Sequence, residues 1–255
     1  MQRLIAISLM CAFVFTAAYG QSESGARVRI DKASGQLLVQ DKPFLILGGE
    51  LGNSSAGTFA QADAILPQLA RLHLNAVLVP VAWEQVEPHE GLFDFSILDH
   101  WIDVARQQNL HLVLLWFGSW KNAFSEYAPD WVKSDTKRSP RAMAADSTPL
   151  EILSTFGTDS AKCDSRAFAA LLGHVRVKDG EQQTVLMVQV ENEVGFLGPG
   201  RDRSPEANRQ FVEPVPRELV QKLVVNRTEI SRELAAHFNP QGAAIRFPSS
   251  LITCV

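Results

Sequence analysis

Two carboxylates flank an amide at Glu191-Asn192-Glu193, directly after the apolar residues Val185, Leu186, Met187, Val188 and Val190. Carboxyl groups at such a position suit proton transfer, because partial desolvation holds a proton on one of them near neutral pH for delivery to a leaving oxygen. The nearly continuous apolar run suits a strand covered on both faces, as in a parallel sheet wrapped by helices. Such strands place sites at their carboxyl ends. Residues i and i+2 share a strand face, so periodicity does not choose between Glu191 and Glu193. The plainer alternative is a solvated strand end before the turn at Gly195.

Other polar and aromatic residues fall at predicted strand tips: Glu50, Trp83, Glu84, Trp116, Trp120, Lys121 and Asn122. Flat indoles suit the C–H faces of sugar rings, while amides, lysine and carboxylates suit hydroxyls, so the mixture fits a carbohydrate cleft. A tryptophan is also a common core residue, and Trp101 reads as helix core.

The elements that must position these residues follow a regular order. Val28–Asp31 and Leu37–Asp41 alternate around the turn 33–36 and read as a β-hairpin. Phe44–Leu47 reads as a first core strand ending in Gly48-Gly49-Glu50, and Phe59–Leu72 has helical spacing. A second strand at Ala76–Val81 is followed by a helix at 97–108 and a third strand at 110–117. A long segment with Trp120, Pro129 and Trp131, a low-hydrophobicity span at 133–148 and a helix at 165–177 lead to the fourth strand. After it, 199–205 reads as loop, and 216–225 and 228–238 as helices. This alternation predicts an α/β fold with a parallel sheet, compatible with a (β/α)8 TIM-type barrel.

The chain has 255 residues, 46% hydrophobic and 20% charged, with a net charge of −4. That balance describes a globular chain and gives no reason to expect nucleic acid. Arg3, the apolar run Leu4–Phe15 and the small residues before Gln21 form a secretory signal at 1–20. The run is shorter than the roughly 20 residues a membrane span needs, so the expected product is exported to the periplasm or outside, with no stable membrane anchor. Cleavage removes Cys11 and leaves Cys163 and Cys254, too few for a disulfide scaffold. Six histidines are scattered without ligand spacing, and no phosphate-binding glycine loop is present, so no metal or cofactor is expected.

The run Val188–Gly195 resembles the acid/base strand of retaining β-galactosidases of glycoside hydrolase families 35 and 42, in the barrel clan that carries Asn-Glu at the end of strand four. The segment Trp83-Glu84-Gln85-Val86-Glu87-Pro88 with Gly91 and Asp94-Phe95 is similar to the second strand and its following loop in that group. Gly48-Gly49-Glu50, Leu112–Asn122 and Pro129-Asp130-Trp131 are similar to the first-strand tip and the third strand with its loop. The resemblance runs from about Phe44 to Phe196 and less distinctly to Asn239. It implies a β-galactoside substrate, Glu193 as the acid/base and Asn192 as the group that binds the sugar 2-hydroxyl. Glu50, Trp83, Glu84, Trp116, Trp120 and Asn122 are then the substrate-binding candidates.

Two departures stand out. Family 35 commonly has a Tyr three residues before the second-strand Trp and a Glu beside the third-strand Trp, whereas this chain has Pro80 and Ser119. A retaining enzyme also needs a second carboxylate at roughly 5 to 5.5 Å, carried in this clan on strand seven. The residues after Glu191 are too few for four more strand-plus-helix units of on the order of 30 residues each. The expected organisation is a signal at 1–20, a hairpin at 21–43, the first four βα units of a barrel at 44–240, and an atypical tail at 241–255. Two alternatives to a β-galactosidase follow: a non-catalytic carbohydrate-binding remnant, or a related β-glucosidase, mannanase or cellulase.

Overall fold

The structure, a computed structural model, describes residues 28–196, 200–214 and 216–225. The signal, Cys11, Cys254, His237, the helix expected at 228–238 and the tail at 241–255 lie outside these residues. The chain divides at Phe44 into two units.

In the first unit, β1 (Val28–Ile30), β2 (Leu37–Val39) and β3 (Lys42–Pro43) form an antiparallel sheet in that order, with Val28 opposite Val39. The predicted hairpin is present. Asp31 holds its turn by accepting hydrogen bonds from the N–H (2.8 Å) and hydroxyl (2.6 Å) of Ser34. Gln40 and Asp41, both at positive φ, make the two-residue connection to β3.

The second unit runs β4 (Gly48–Glu50), α1 (Phe59–Arg71), β5 (Ala76–Ala82), α2 (Trp83–Val86), α3 (Ser96–Gln107), β6 (His111–Lys121) and α4 (Asp130–Ser134). It continues through β7 (Arg141–Met143), β8 (Pro149–Leu153), α5 (Thr158–Asp179), β9 (Val185–Asn192), α6 (Pro205–Val212) and α7 (Arg217–Val225). Strands β4, β5, β6 and β9 form one parallel sheet in that order. This is the predicted βα alternation, but the sheet is open, with β4 and β9 as its edges among the described residues.

The continuous apolar run of β6 has a direct cause. Leu112, Leu114 and Trp116 join the core formed with residues of α1, α3 and α5, while Val113, Leu115 and Phe117 point to the opposite face with Leu78 and Tyr127. Both faces of the strand are therefore covered. β9 was expected to be covered in the same way and is not: Leu186 is buried, but Met187 and Val190 are exposed, because β9 is paired on the β6 side alone among the described residues.

Phe44–Leu47 is not a strand, and Leu45 and Leu47 are exposed. The carboxamide of Asn75 takes the place of a neighbouring strand, accepting from Leu47 N–H (2.8 Å) and donating to the Leu45 carbonyl (2.8 Å). The 133–148 span was predicted as loop but contributes to an antiparallel pair, β7 with β8. Asp202 ties that pair to the start of α6, accepting from Met143 N–H, Ser154 Oγ and Ser204 N–H. The fourth strand is aimed by buried Asp179 at the end of α5, which accepts from Val185 N–H (2.7 Å) and from Arg106 (2.7 Å).

The Trp83 to Pro88 motif acts as a clamp. Glu87 is fully buried and accepts from Trp83 Nε1 (2.9 Å), Gly91 N–H (2.7 Å) and Arg166 (2.6 Å), while its carbonyl accepts from Trp131 Nε1 (3.1 Å). Removing the carboxylate orphans a buried indole N–H and the loop that follows α2. Glu87→Ala is expected to lose about 2–3 kcal/mol of stability, read by urea unfolding followed through tryptophan fluorescence, and Glu87→Gln clearly less. A loss below about 1 kcal/mol in the Ala variant would show that the clamp contributes little.

Candidate active site

The tips of β6 and β9 meet at an irregular ladder. Trp116 pairs with Val190 and Lys121 pairs with Asn192, so Gly118, Ser119 and Trp120 bulge out of register. The freed N–H groups of Ser119 and Trp120 turn onto Glu191, at 3.1 Å from Oε1 and 2.9 Å from Oε2. Asp164 on α5 enters the same space. It accepts from Trp116 Nε1 (2.9 Å), Ser119 N–H (2.7 Å) and Ser119 Oγ (2.6 Å). A Cβ at Gly118 would collide with Glu191 Oε1, Trp116 Nε1 and Asp164 Oδ1, so glycine is required there.

Glu191 and Asp164 therefore form a carboxyl pair, half-buried and buried respectively. Burial, then a hydrogen bond from Glu191 to Asp164 and the Asp164 charge, push the Glu191 carboxyl up to about 9; the Trp120 and Ser119 N–H groups oppose this. A cleft of about 330 Å³ lies beside the pair, with Trp116, Ser119, Trp120, Asp164, Phe168 and Glu191 among its lining. Asn192 and Glu193 are outside that lining.

Beyond the pair, Asn192 Oδ1 accepts from Lys121 Nζ at 2.5 Å, and that ammonium sits 4.8 Å from the centroid of the Phe117 ring. Lys121 is buried, so the amide and the aromatic face replace part of its hydration. Asn122 and Ala123 both have positive φ and form a tight turn closed by Lys121 and Phe124. Ala123 N–H then donates to the Glu193 carbonyl (3.2 Å), binding this turn to the end of β9. Glu193 itself is exposed.

The residues selected from sequence thus separate into groups. Lys121, Asn122, Asn192 and Glu193 are brought together, and Trp120 lies beside them with its indole edge-on to Phe196 (5.5 Å). Trp83 and Trp116 are fully buried with their indole N–H groups committed to Glu87 and Asp164, and Trp116 also lines the cleft. Glu84 is half-buried and near Lys133 (3.6 Å). Exposed Glu50 ends β4, three strand positions across the sheet from β9, roughly 14 Å by ordinary strand spacing. The partial desolvation expected at Glu193 is found at Glu191. Sequence reasoning passed over Asp164 and Gly118; the Gly118-Ser119 break inside an apolar strand was the available signal for Gly118, whereas Asp164 lies among other polar residues of a helix.

Residues 58–227 match the model of glycoside hydrolase family 42, described as β-galactosidase. The chain belongs to this family. Among solved structures, the exo-β-1,4-mannosidase Op5Man5 from Opitutaceae bacterium strain TAV5 is similar at 18% identity and a TM-score of 0.45, covering 69% of this chain and 28% of that one. The family 42 chain thus spans under a third of the mannosidase's length. A search of curated proteins gives no match. The match to family 42 includes β6, α5 and β9, so the carboxyl pair and the Asn192-Glu193 tip both lie inside the family region.

The pair has a pH signature. Glu191 keeps its proton up to about pH 9 when folded, whereas unfolded it titrates near the ordinary 4.5. The folded chain holds the extra proton between those values, so its contribution is complete below pH 4.5 and is lost as pH rises toward 9, by at most about 1.4 kcal/mol per pH unit. The melting temperature of the wild type relative to Glu191→Gln should therefore fall from pH 5 to pH 9. Parallel curves for the two proteins would show that Glu191 is not protonated in the folded chain.

Proposed function

We propose that the chain carries the acid/base half of a retaining glycosidase acting on terminal β-galactosides, with Glu193 as proton donor and then as base. The observation that carries this reading is the tip of β9, where Glu193 follows an oriented Asn192 at the end of the fourth parallel strand of a family 42 domain. Lys121 occupies Asn192 Oδ1, so what the amide has left to offer a ligand is chiefly its two Nδ2 hydrogens as donors. They suit the sugar 2-hydroxyl, a contact that strengthens as positive charge develops at the anomeric carbon.

In the first step Glu193 gives its proton to the glycosidic oxygen as the carbon–oxygen bond breaks and a second carboxylate bonds to the anomeric carbon. In the second step Glu193 takes a proton from water, which displaces that carboxylate. By the resemblance, the nucleophile belongs to a later barrel strand, and β9 is the edge of the sheet on that side among the described residues. Glu191 is unsuited to either step, because both its oxygens are engaged by Ser119 and Trp120 and its proton faces Asp164. Export from the cell, inferred from residues 1–20, belongs to the same proposal.

Ser119 and Pro80 favour a second reading for the sugar. Ser119 commits its hydroxyl to Asp164 and Pro80 is buried in β5, so neither supplies the polar contact expected at its position in family 35. A related glycoside, such as a β-glucoside or β-mannoside, is the corresponding alternative.

The test is release of a chromogenic aglycone from β-galactosides, β-glucosides and β-mannosides. In a form that also carries the later strand with the nucleophile, highest kcat/KM on the β-galactoside, lowered by about 10²–10⁴ in Glu193→Gln, is the expected result. Unchanged turnover in that variant would remove Glu193 from the mechanism. Sugar binding without turnover by the wild type would instead leave a carbohydrate-binding remnant.

A further inference from the structure

We propose that the Glu191–Asp164 carboxyl pair, gathered on the Ser119 N–H and sharing one proton, is the positioning device that aims Asn192 and Glu193 at the end of β9. The consequence for turnover rests on Glu193 being the acid/base; the structural part stands without it.

Geometry brings the two carboxyl groups to one donor. One backbone N–H, that of Ser119, reaches both carboxyl groups, at 2.7 Å to Asp164 Oδ2 and 3.1 Å to Glu191 Oε1. Two carboxyl groups this close do not both ionise. Asp164 receives three donors from Trp116 and Ser119, which suits the charged partner and leaves Glu191 as the acid. Of the charged groups near Glu191, α5 contributes Asp164, β6 contributes Lys121, already committed to Asn192, and β9 contributes Glu193.

The pair also holds the backbone. Glu191 has φ 58° and Glu193 has φ 51°, a left-handed conformation that a glutamate adopts at a cost and keeps when its surroundings enforce it. For Glu191 that enforcement comes through the side chain, locked between the Ser119 and Trp120 N–H groups and Asp164. Freed from this lock, Glu191 returns toward extended backbone, and the two residues after it change direction. The requirement for glycine at 118 fits the same device, since any side chain there displaces all three members of the cluster.

Glu191→Gln preserves a neutral group that can donate to Asp164 and whose single oxygen accepts from one of the two N–H groups; Glu191→Ala preserves none of this. Infrared spectra of the wild-type protein at neutral pH should contain a protonated carboxyl C=O band that is absent from Glu191→Gln. Backbone amide shifts of Asn192 and Glu193 should match wild type in the Gln variant and move in the Ala variant. On the best glycoside, Gln should keep kcat within about threefold, while Ala should lose about 100-fold in kcat, the scale of an ångström-sized misplacement. No carboxyl band in the wild type, or equal amide-shift changes in a folded Gln and a folded Ala variant, would overturn the proposal. An inactive wild type that shows the band and the Gln/Ala difference would count against the Glu193 mechanism and in favour of the positioning pair.

Discussion

Three residues of β6, Gly118, Ser119 and Trp120, leave the sheet ladder, and the donors they free have to go somewhere. They go to two carboxyl groups, Glu191 from the next strand and Asp164 from the helix between, and this convergence ties the third strand, the fourth strand and α5 into one corner. Without the acids, the bulge would bury unpaired N–H groups; without the bulge, the acids would have no donors. The proton between the acids keeps the corner at a single negative charge, balanced by three donors from Trp116 and Ser119. Everything at the tip of β9 is positioned relative to that corner.

A second set of polar groups does comparable work away from the tip. Asp179 aims the start of β9 and Asp202 fastens the β7–β8 pair, while Glu87 holds Trp83 and the loop after α2. In each case one buried carboxylate collects donors that secondary structure leaves over, a more economical solution than separate partners for each. Asn75 does the same with an amide. The apolar core beneath α1, α3 and α5 supplies the packing, and these groups decide where the strands end.

The repeating strands and helices were legible in the chain because both faces of β5 and β6 are buried and their apolar runs are long. The first hairpin was legible from its turn residues. Phe44–Leu47 misled, since its apolar residues look like a strand while the Leu45 carbonyl and Leu47 N–H bond the Asn75 side chain about thirty residues on, a contact no local pattern contains. β7 was missed because it lies in the low-hydrophobicity span and its pairing with β8 is tied down by Asp202, distant in sequence. At the site, Asn192 and Glu193 were found through motif. Period-two reasoning left Glu191 and Glu193 equivalent, and it failed because both residues have positive φ, outside the strand geometry on which that period rests.

The tryptophans show why residue type alone overstates a sugar site. An indole offers a sugar its face, but the same ring filled with core contacts has none to offer, and the distinction depends on where its N–H is satisfied. Trp83 and Trp116 each donate to a carboxylate on the protein's own interior network, which fixes their rings edge and face. The value of Trp116 to the tip is indirect: its indole N–H donates to Asp164, which lies beside Glu191. Trp120 differs because its backbone serves the carboxyl pair while its ring remains at the cleft and against Phe196. Trp116 thus serves the acids through its ring N–H and Trp120 through its backbone N–H, while Trp83 serves Glu87.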